Sequence, residues 1–208
     1  MFTGIVQAVG VITKVSPIEM GEESGLRLSI EAGSLDMSDV KTGDSIAVQG
    51  ACMTVTTMTQ GGFTVDVSRE SLNRTVGLSA VGQVNLEKSL CLGDPLGGHL
   101  VSGHVDGLGK VIEFHQVGES WKLVIDVPSN LGTYLAYKGS VAVNGVSLTV
   151  NDVVDLDGST RFHINLIPHT VAMTTLQHLK PGDPVNIEVD TIARYVHRMI
   201  KATRITGR

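Results

Sequence analysis

The sequence predicts an all-β protein built from two tandem, homologous, six-stranded antiparallel Greek-key barrels, followed by a C-terminal amphipathic α-helix. Three observations predict it. The segment Asp44–Val55 (DSIAVQGACMTV) returns as Gly139–Val150 (GSVAVNGVSLTV) with six of twelve positions identical. Each copy holds about six short runs rich in Val, Ile and Thr, separated by turn residues at close spacing. The tail then switches to the i, i+3, i+4, i+7, i+8 period of a helix.

The repeat extends well beyond its best segment. Phe2-Thr3-Gly4-Ile5-Val6 faces Val101-Ser102-Gly103-His104-Val105, Phe63 to Thr75 faces Phe162 to Thr174, and Val84-Asn85-Leu86-Glu87 faces Val185-Asn186-Ile187-Glu188, all in the same order. Two copies at a period of about 97 residues are too few and too long for a solenoid, so each half is expected to fold as its own barrel. In the first copy the expected strands are Ile5 to Val15, Leu26 to Glu31, Ser45 to Val48, Cys52 to Thr57, Phe63 to Val67 and Val84 to Leu86. A small closed barrel removes the exposed edges that so many short strands would otherwise leave. Gly93, Asp94, Pro95, Gly97 and Gly98 cluster between the copies, which places the boundary near Leu96 and the units at 1–96, 97–189 and 190–208. In the last unit Ile192, Tyr195, Val196, Met199 and Ile200 form the apolar stripe, with Asp190 or Thr191 as N-cap. Appended to two closed barrels, that stripe is free to pack on another subunit. Arg194, Arg198, Lys201 and Arg204 read as ordinary complements to the helix dipole.

Composition excludes several classes. Of 208 residues, 42% are apolar and 18% charged, which rules out intrinsic disorder, and no apolar run approaches the roughly 18 residues that span a bilayer. A net charge of −5 repels a phosphate backbone, so nucleic acid is not an expected partner. The opening residues lack a basic segment and a long apolar run, and the two cysteines, Cys52 and Cys91, read as reduced thiols, so a cytoplasmic location is expected.

A duplicated barrel whose matching loops differ at a few polar positions suggests two related pockets, one of them altered for chemistry. Ile5 becomes His104, Cys52 becomes Ser147 and Asp66 becomes Asn165. Taken alone, a strand histidine such as His104 is more often a structural hydrogen-bonding residue than a catalyst, and a lone cysteine such as Cys52 is usually an inert small core residue. His99 and His104 lack the paired cysteines of a zinc site, so no metal is expected. Neither a GxGxxG turn between strand and helix nor a GxSxG elbow is present.

Taken together, MFTGIV at the N-terminus, GACMTV (Gly50 to Val55), GGHLVSGHVDG (Gly97 to Gly107), YKGSVAVNGVSLTV (Tyr137 to Val150) and NLIPHT (Asn165 to Thr170) resemble the riboflavin synthase family of the α-chain type. The resemblance runs from Met1 through the C-terminal helix. It implies a cytosolic homotrimer whose C-terminal helices associate, with active sites between the N-barrel of one subunit and the C-barrel of a neighbour. The implied reaction transfers a four-carbon unit between two molecules of 6,7-dimethyl-8-ribityllumazine without cofactor or metal. A lumazine synthase, which would supply that substrate, is a candidate partner.

Carried over by position, the resemblance assigns a first lumazine to Gly4, Ile5 and Val6, to Cys52, Met53 and Thr54, and to the run Asp66, Val67, Ser68, Arg69, Glu70 and Ser71. A second falls to Ser147, Leu148 and Thr149, to Asn165, Leu166, Ile167, Pro168, His169 and Thr170, and to Lys138. Gly103, His104 and Val105 lie at the shared boundary, and Phe2 walls the pocket. His104 is the implied proton shuttle, and Cys52, Ser45 and Ser147 are candidates for activating a nucleophile, with water as one possibility for that nucleophile. The chain departs from some relatives in having His169 in place of Glu and Ala51-Cys52 in place of two adjacent cysteines. Two rival readings are a lumazine protein, which resembles the family but carries its ligand as an optical antenna, and the flavin-binding barrel of flavoprotein reductases. The retained Lys138, Ser147 and SGHV segment oppose the first, and the second barrel opposes the other.

Overall fold

The computed structural model describes residues 1–19 and 24–206. The first half contains β1 (Ala8–Pro17), β2 (Leu26–Glu31), β3 (Ser45–Val48), β4 (Ala51–Thr59), β5 (Gly62–Val67), α1 (Arg69–Arg74) and β6 (Gly82–Lys88). The second repeats the plan with β7 (Gly107–Val117), β8 (Ser120–Pro128), α2 (Ser129–Gly132), β9 (Ser140–Val143), β10 (Val146–Asp155), β11 (Ser159–Leu166), α3 (Pro168–Ala172) and β12 (Pro184–Val189), with a short 3-10 turn at Thr175–His178 between the last two. Both sheets close, in the orders β1-β2-β5-β4-β3-β6 and β10-β11-β8-β7-β12-β9. These are the same circular order, and in both the second strand pairs with the fifth, so two connections cross a barrel end.

Alternation builds each core. Leu28, Ile30, Phe63, Val65 and Leu86 point inward in the first barrel, and Leu123, Ile125, Phe162, Ile164 and Ile187 do so in the second. Phe63 and Phe162 occupy matching positions of the repeat, so the two cores are filled from the same template. The β3–β4 and β9–β10 hairpins turn through Gln49-Gly50 and Asn144-Gly145, all four at positive φ. Positive φ at both central residues is the geometry that suits a two-residue hairpin.

The barrels meet along a pseudo-twofold contact of polar and apolar groups. Asn85 Nδ2 donates to the Asn144 carbonyl and Asn186 Nδ2 to the Gln49 carbonyl, each at 2.9 Å. Phe2, Ala47, Val101 and Ala142 form a small apolar cluster beside this network, with Cys52 packed against it.

Two sequence expectations need correction. The first strand begins at Ala8 rather than Ile5, because Gly4 takes φ +75° and residues 3–5 are tied to side chains instead of a ladder. The helix α4 (Thr191–Thr206) begins as expected, with Asp190 Oδ1 accepting from the Ile192 amide at 2.8 Å. Arg194, however, lies in its first turn and pairs with Asp106 at 2.6 Å, so it anchors the helix to the second barrel and does not complement the C-terminal dipole. The side chain of Arg204 lies outside the described residues, as do residues 207 and 208 of the tail. Ile192, Tyr195, Val196, Met199 and Ile200 are all at least half exposed on the single chain. Among the described residues, no helix is long and apolar enough to cross a membrane.

Candidate active site

The loops that precede the two barrels are exchanged between them. The Ser147 amide of β10 donates to the Gly4 carbonyl at 2.7 Å, and the Cys52 amide of β4 donates to the Gly103 carbonyl at 2.8 Å. Val6 accordingly packs against the core of the second barrel and Val105 against that of the first. This revises the grouping expected from sequence: Gly4 and Val6 belong with Ser147, and Gly103 and Val105 belong with Cys52. Close approach explains the glycines, since a Cβ on Gly4 would stand 2.6 Å from the Ser147 Cβ and one on Gly103 would stand 2.6 Å from the Cys52 Cβ.

Beside each exchanged loop a barrel wall opens. The β4–β5 ladder runs no further toward the site than Val55↔Val65, and the β10–β11 ladder no further than Val150↔Ile164. Beyond those pairs Cys52–Thr54 faces Asp66–Ser68, and Ser147–Thr149 faces Asn165–Ile167. Strand edges released from a ladder present amide and carbonyl groups in register, which suits the edge of a planar heterocycle. Alternation decides which side chains accompany them. Cys52, Thr54 and Asp66 point out of the first barrel, and Ser147, Thr149 and Asn165 point out of the second, whereas Met53, Val67, Leu148 and Leu166 are buried in the cores. Of those four expected contact residues, only the backbone is on offer. Phe2 is fully buried between the barrels, beneath the site rather than on its wall.

The two openings are alike in shape and different in chemistry. Asp66 is gripped by Arg27, with Nε–Oδ1 at 2.7 Å and Nη2–Oδ2 at 2.8 Å, and this pairing holds its carboxyl below the usual range. At the matching position Asn165 is neutral, and Lys122 opposite it pairs with Glu113 at 2.8 Å. Ser68 caps α1 by accepting from the Ser71 amide at 3.1 Å. Arg69 Nε is buried with no hydrogen-bond partner among the described residues, and Glu70 is exposed and paired with Arg74. Ile167, Pro168 and His169 are exposed where α3 begins, with Thr170 half-buried.

Ser45 lies opposite Thr54 across β3–β4. It also lines a surface cleft of about 590 Å³ together with Ile5, Glu87 and Gly97, within the size range of small-molecule sites. Lys138 takes φ +62°, where the first half has Gly43, and its Nζ donates to Asn151 Oδ1 at 2.9 Å. His104 and Ile5 are exposed on the single chain.

The residue that sequence reasoning missed is His99. It is buried, its Nδ1 lies 2.7 Å from Ser147 Oγ, and its Nε2 has no partner among the described residues. Burial pushes its pKa below the ordinary value, with Asp190 partly opposing, so the neutral ring is favoured there. The only signal in the sequence is its place in GGHLVSGHVDG, where its spacing from His104 suggests nothing beyond a metal ligand. Among the described residues, no group of three or more His, Cys, Asp or Glu side chains gathers as a ligand set.

Comparison with known proteins accords with this geometry. The chain matches the lumazine binding domain family twice, over residues 3–89 and 102–190. It is 45% identical to a riboflavin synthase of Photobacterium phosphoreum over 202 residues, covering 96% of this chain and 89% of that one. It is 39% identical to a riboflavin synthase of Brucella abortus (strain 2308) over 206 residues, covering 96% and 98%. Among solved structures it resembles LumP complexed with riboflavin, with a TM-score of 0.78 at 26% identity over 91% of this chain and 99% of that chain. LumP complexed with 6,7-dimethyl-8-(1'-D-ribityl) lumazine gives 0.77 at the same identity and coverage. A doubled lumazine-binding barrel with near-full-length similarity to these enzymes has one family assignment: the chain belongs to the riboflavin synthase family.

Proposed function

We propose that this chain catalyses the dismutation of two molecules of 6,7-dimethyl-8-ribityllumazine into riboflavin and 5-amino-6-(D-ribitylamino)uracil. The observation that carries the reading is the pair of openings at the ends of the β4–β5 and β10–β11 ladders, alike in backbone and unlike in reactive side chains. A reaction between two copies of one heterocycle calls for two matching cradles, and holding both reactants removes the entropy of their encounter. The two products together contain all the atoms of the two substrates, so neither oxidant nor reductant is consumed.

The chemistry divides between the halves. A four-carbon unit leaves one lumazine and joins the other, which requires loss of a proton from a C7 methyl and addition of a nucleophile at C7 of the partner. His104, carried on the loop bound to Cys52, serves as the proton shuttle. Ser147, with His99 as its base, activates the nucleophile in the second half, and Cys52 and Ser45 are the corresponding groups of the first. Asp66 and Asn165 suit ribityl hydroxyls, and Lys138 borders the second pocket. Exposure of His104 and Ile5 together with the free stripe of α4 supports a homotrimer in which a neighbour's barrel completes each site. A cytoplasmic location and association with a lumazine synthase complete the reading.

The test is incubation of purified, chelator-treated protein with 6,7-dimethyl-8-ribityllumazine and no cofactor, following absorbance. Two lumazines consumed per riboflavin formed is the expected result. Binding with a spectral change and no riboflavin would overturn the reading in favour of a lumazine carrier.

A further inference from the structure

Each barrel buries one carboxylate that none of the chemistry above uses. Glu87 ends the VNLE run of β6 and Glu188 the VNIE run of β12, and they are 5% and 3% exposed. Neither forms an ion pair among the described residues; each is satisfied by donors from one exchanged loop. Glu87 Oε1 accepts from the Thr3 amide and from Thr3 Oγ1, both at 2.7 Å, and Oε2 accepts from the Gly4 amide at 3.0 Å. Glu188 Oε1 accepts from the Ser102 amide at 2.6 Å and from Ser102 Oγ at 2.7 Å, and Oε2 accepts from the Gly103 amide at 2.9 Å.

Burying a carboxylate without a counter-charge is costly, and three donors offset that cost only while their geometry holds. Both copies keep this arrangement although they differ at Ile5/His104, Cys52/Ser147 and Asp66/Asn165, the positions assigned to chemistry. The consequence lies one peptide further on. The glycine whose amide is held by the carboxylate offers its carbonyl to the strand of the other barrel, Gly4 to Ser147 and Gly103 to Cys52. Both glycines sit at positive φ, and the next residue is Ile5 in one loop and His104 in the other. A single glycine therefore connects a buried carboxylate to a nucleophile candidate and to its neighbour in the site.

Resting on the reaction assigned above, we propose that Glu87 and Glu188 are positioning residues, each clamping the loop that carries Ile5 or His104 against the strand that carries Ser147 or Cys52. Their role is to fix the distance between groups of opposite barrels that act on one pair of substrates. Misplacement of reacting groups by about 1 Å costs on the order of a hundredfold in rate, whereas a stabilising role alone would leave the rate per folded molecule untouched.

The experiment compares the parent chain with Glu188→Gln, Ser102→Ala and the core variant Ile125→Ala, measuring kcat and KM for 6,7-dimethyl-8-ribityllumazine alongside Tm. Glutamine keeps the shape of the side chain but turns an amide nitrogen toward one of the three donors. The expected result is a fall in kcat of at least about tenfold for Glu188→Gln with KM changed less than about threefold, while Ile125→Ala lowers Tm and keeps the parent kcat. Ser102→Ala removes one bond only and is expected to lower kcat by a smaller factor, about two- to fivefold; it carries the test if Glu188→Gln does not accumulate folded. The proposal is overturned if the folded variants lose Tm and retain the parent kcat within twofold, as Ile125→Ala does. A parent chain that binds the lumazine without forming riboflavin overturns the underlying reaction instead.

Discussion

Ser147 Oγ lies 2.7 Å from the buried His99 Nδ1, and among the described residues this part-buried pair has no counterpart at Cys52, which packs instead against the Phe2 cluster. The halves share a backbone plan, and this pair is one of the places where they part in chemistry. If His99 acts through Ser147, the two side chains form one unit. Ser147→Ala and His99→Ala should then each lower kcat by at least about tenfold, and the double variant should be no slower than the slower single one. Multiplying effects in steady-state kinetics would show that the two act independently.

His99 also makes a prediction about pH. Burial holds its pKa below the ordinary histidine value of 6.5, so the folded chain binds this proton less readily than the unfolded chain. Stability from neutral His99 is then fully present above about pH 6.5 and is lost as the pH falls below it. Melting curves across this range should show Tm of the parent declining toward acid, with a shallower decline in His99→Gln. Parallel curves would contradict the assignment.

Two glycines let the exchanged loops approach the strands of the opposite barrel closely, Gly4 at Ser147 and Gly103 at Cys52. Gly103→Ala would place a Cβ 2.6 Å from the Cys52 Cβ at a backbone φ of +78°. Left-handed strain and overpacking together should destabilise the fold by about 2–5 kcal/mol in denaturant unfolding. A loss under about 1 kcal/mol would mean that the loop moves away from β4 at little cost.

Much of this architecture was legible in the sequence, for a physical reason. Strand alternation and turn residues are local, so the repeated block Asp44–Val55 and Gly139–Val150 disclosed both barrels, and the spacing of Ile192, Tyr195, Val196, Met199 and Ile200 disclosed α4. The exchange of loops was not legible, because Gly4–Ser147 and Gly103–Cys52 are bonds between barrels that no local pattern encodes. The burial of Glu87 was not legible for a related reason: with Val84 and Leu86 pointing inward, alternation turns it outward, where a single barrel would have left it in water. The Thr3–Gly4 loop, bonded through the Gly4 carbonyl to Ser147 of the second barrel, covers it instead. His99 lies in an irregular segment, so neither strand nor helix periodicity announced its burial.

His104 is the residue whose role rests most on its place between the halves. Replacing it with Gln keeps a polar side chain and removes the imidazole proposed to carry the proton, so kcat at saturating lumazine should fall by about 10²-fold or more. Turnover within about twofold of the parent would remove His104 from the proton-transfer step.

The most direct measurement on the central claim is an equilibrium titration with a lumazine analogue that carries a carbonyl in place of the C7 methyl, since it has no proton there to lose and cannot react. The duplicated openings predict two analogues bound per chain. One analogue per chain, with the second half empty at saturation, would contradict the account of two cradles acting on two copies of one substrate.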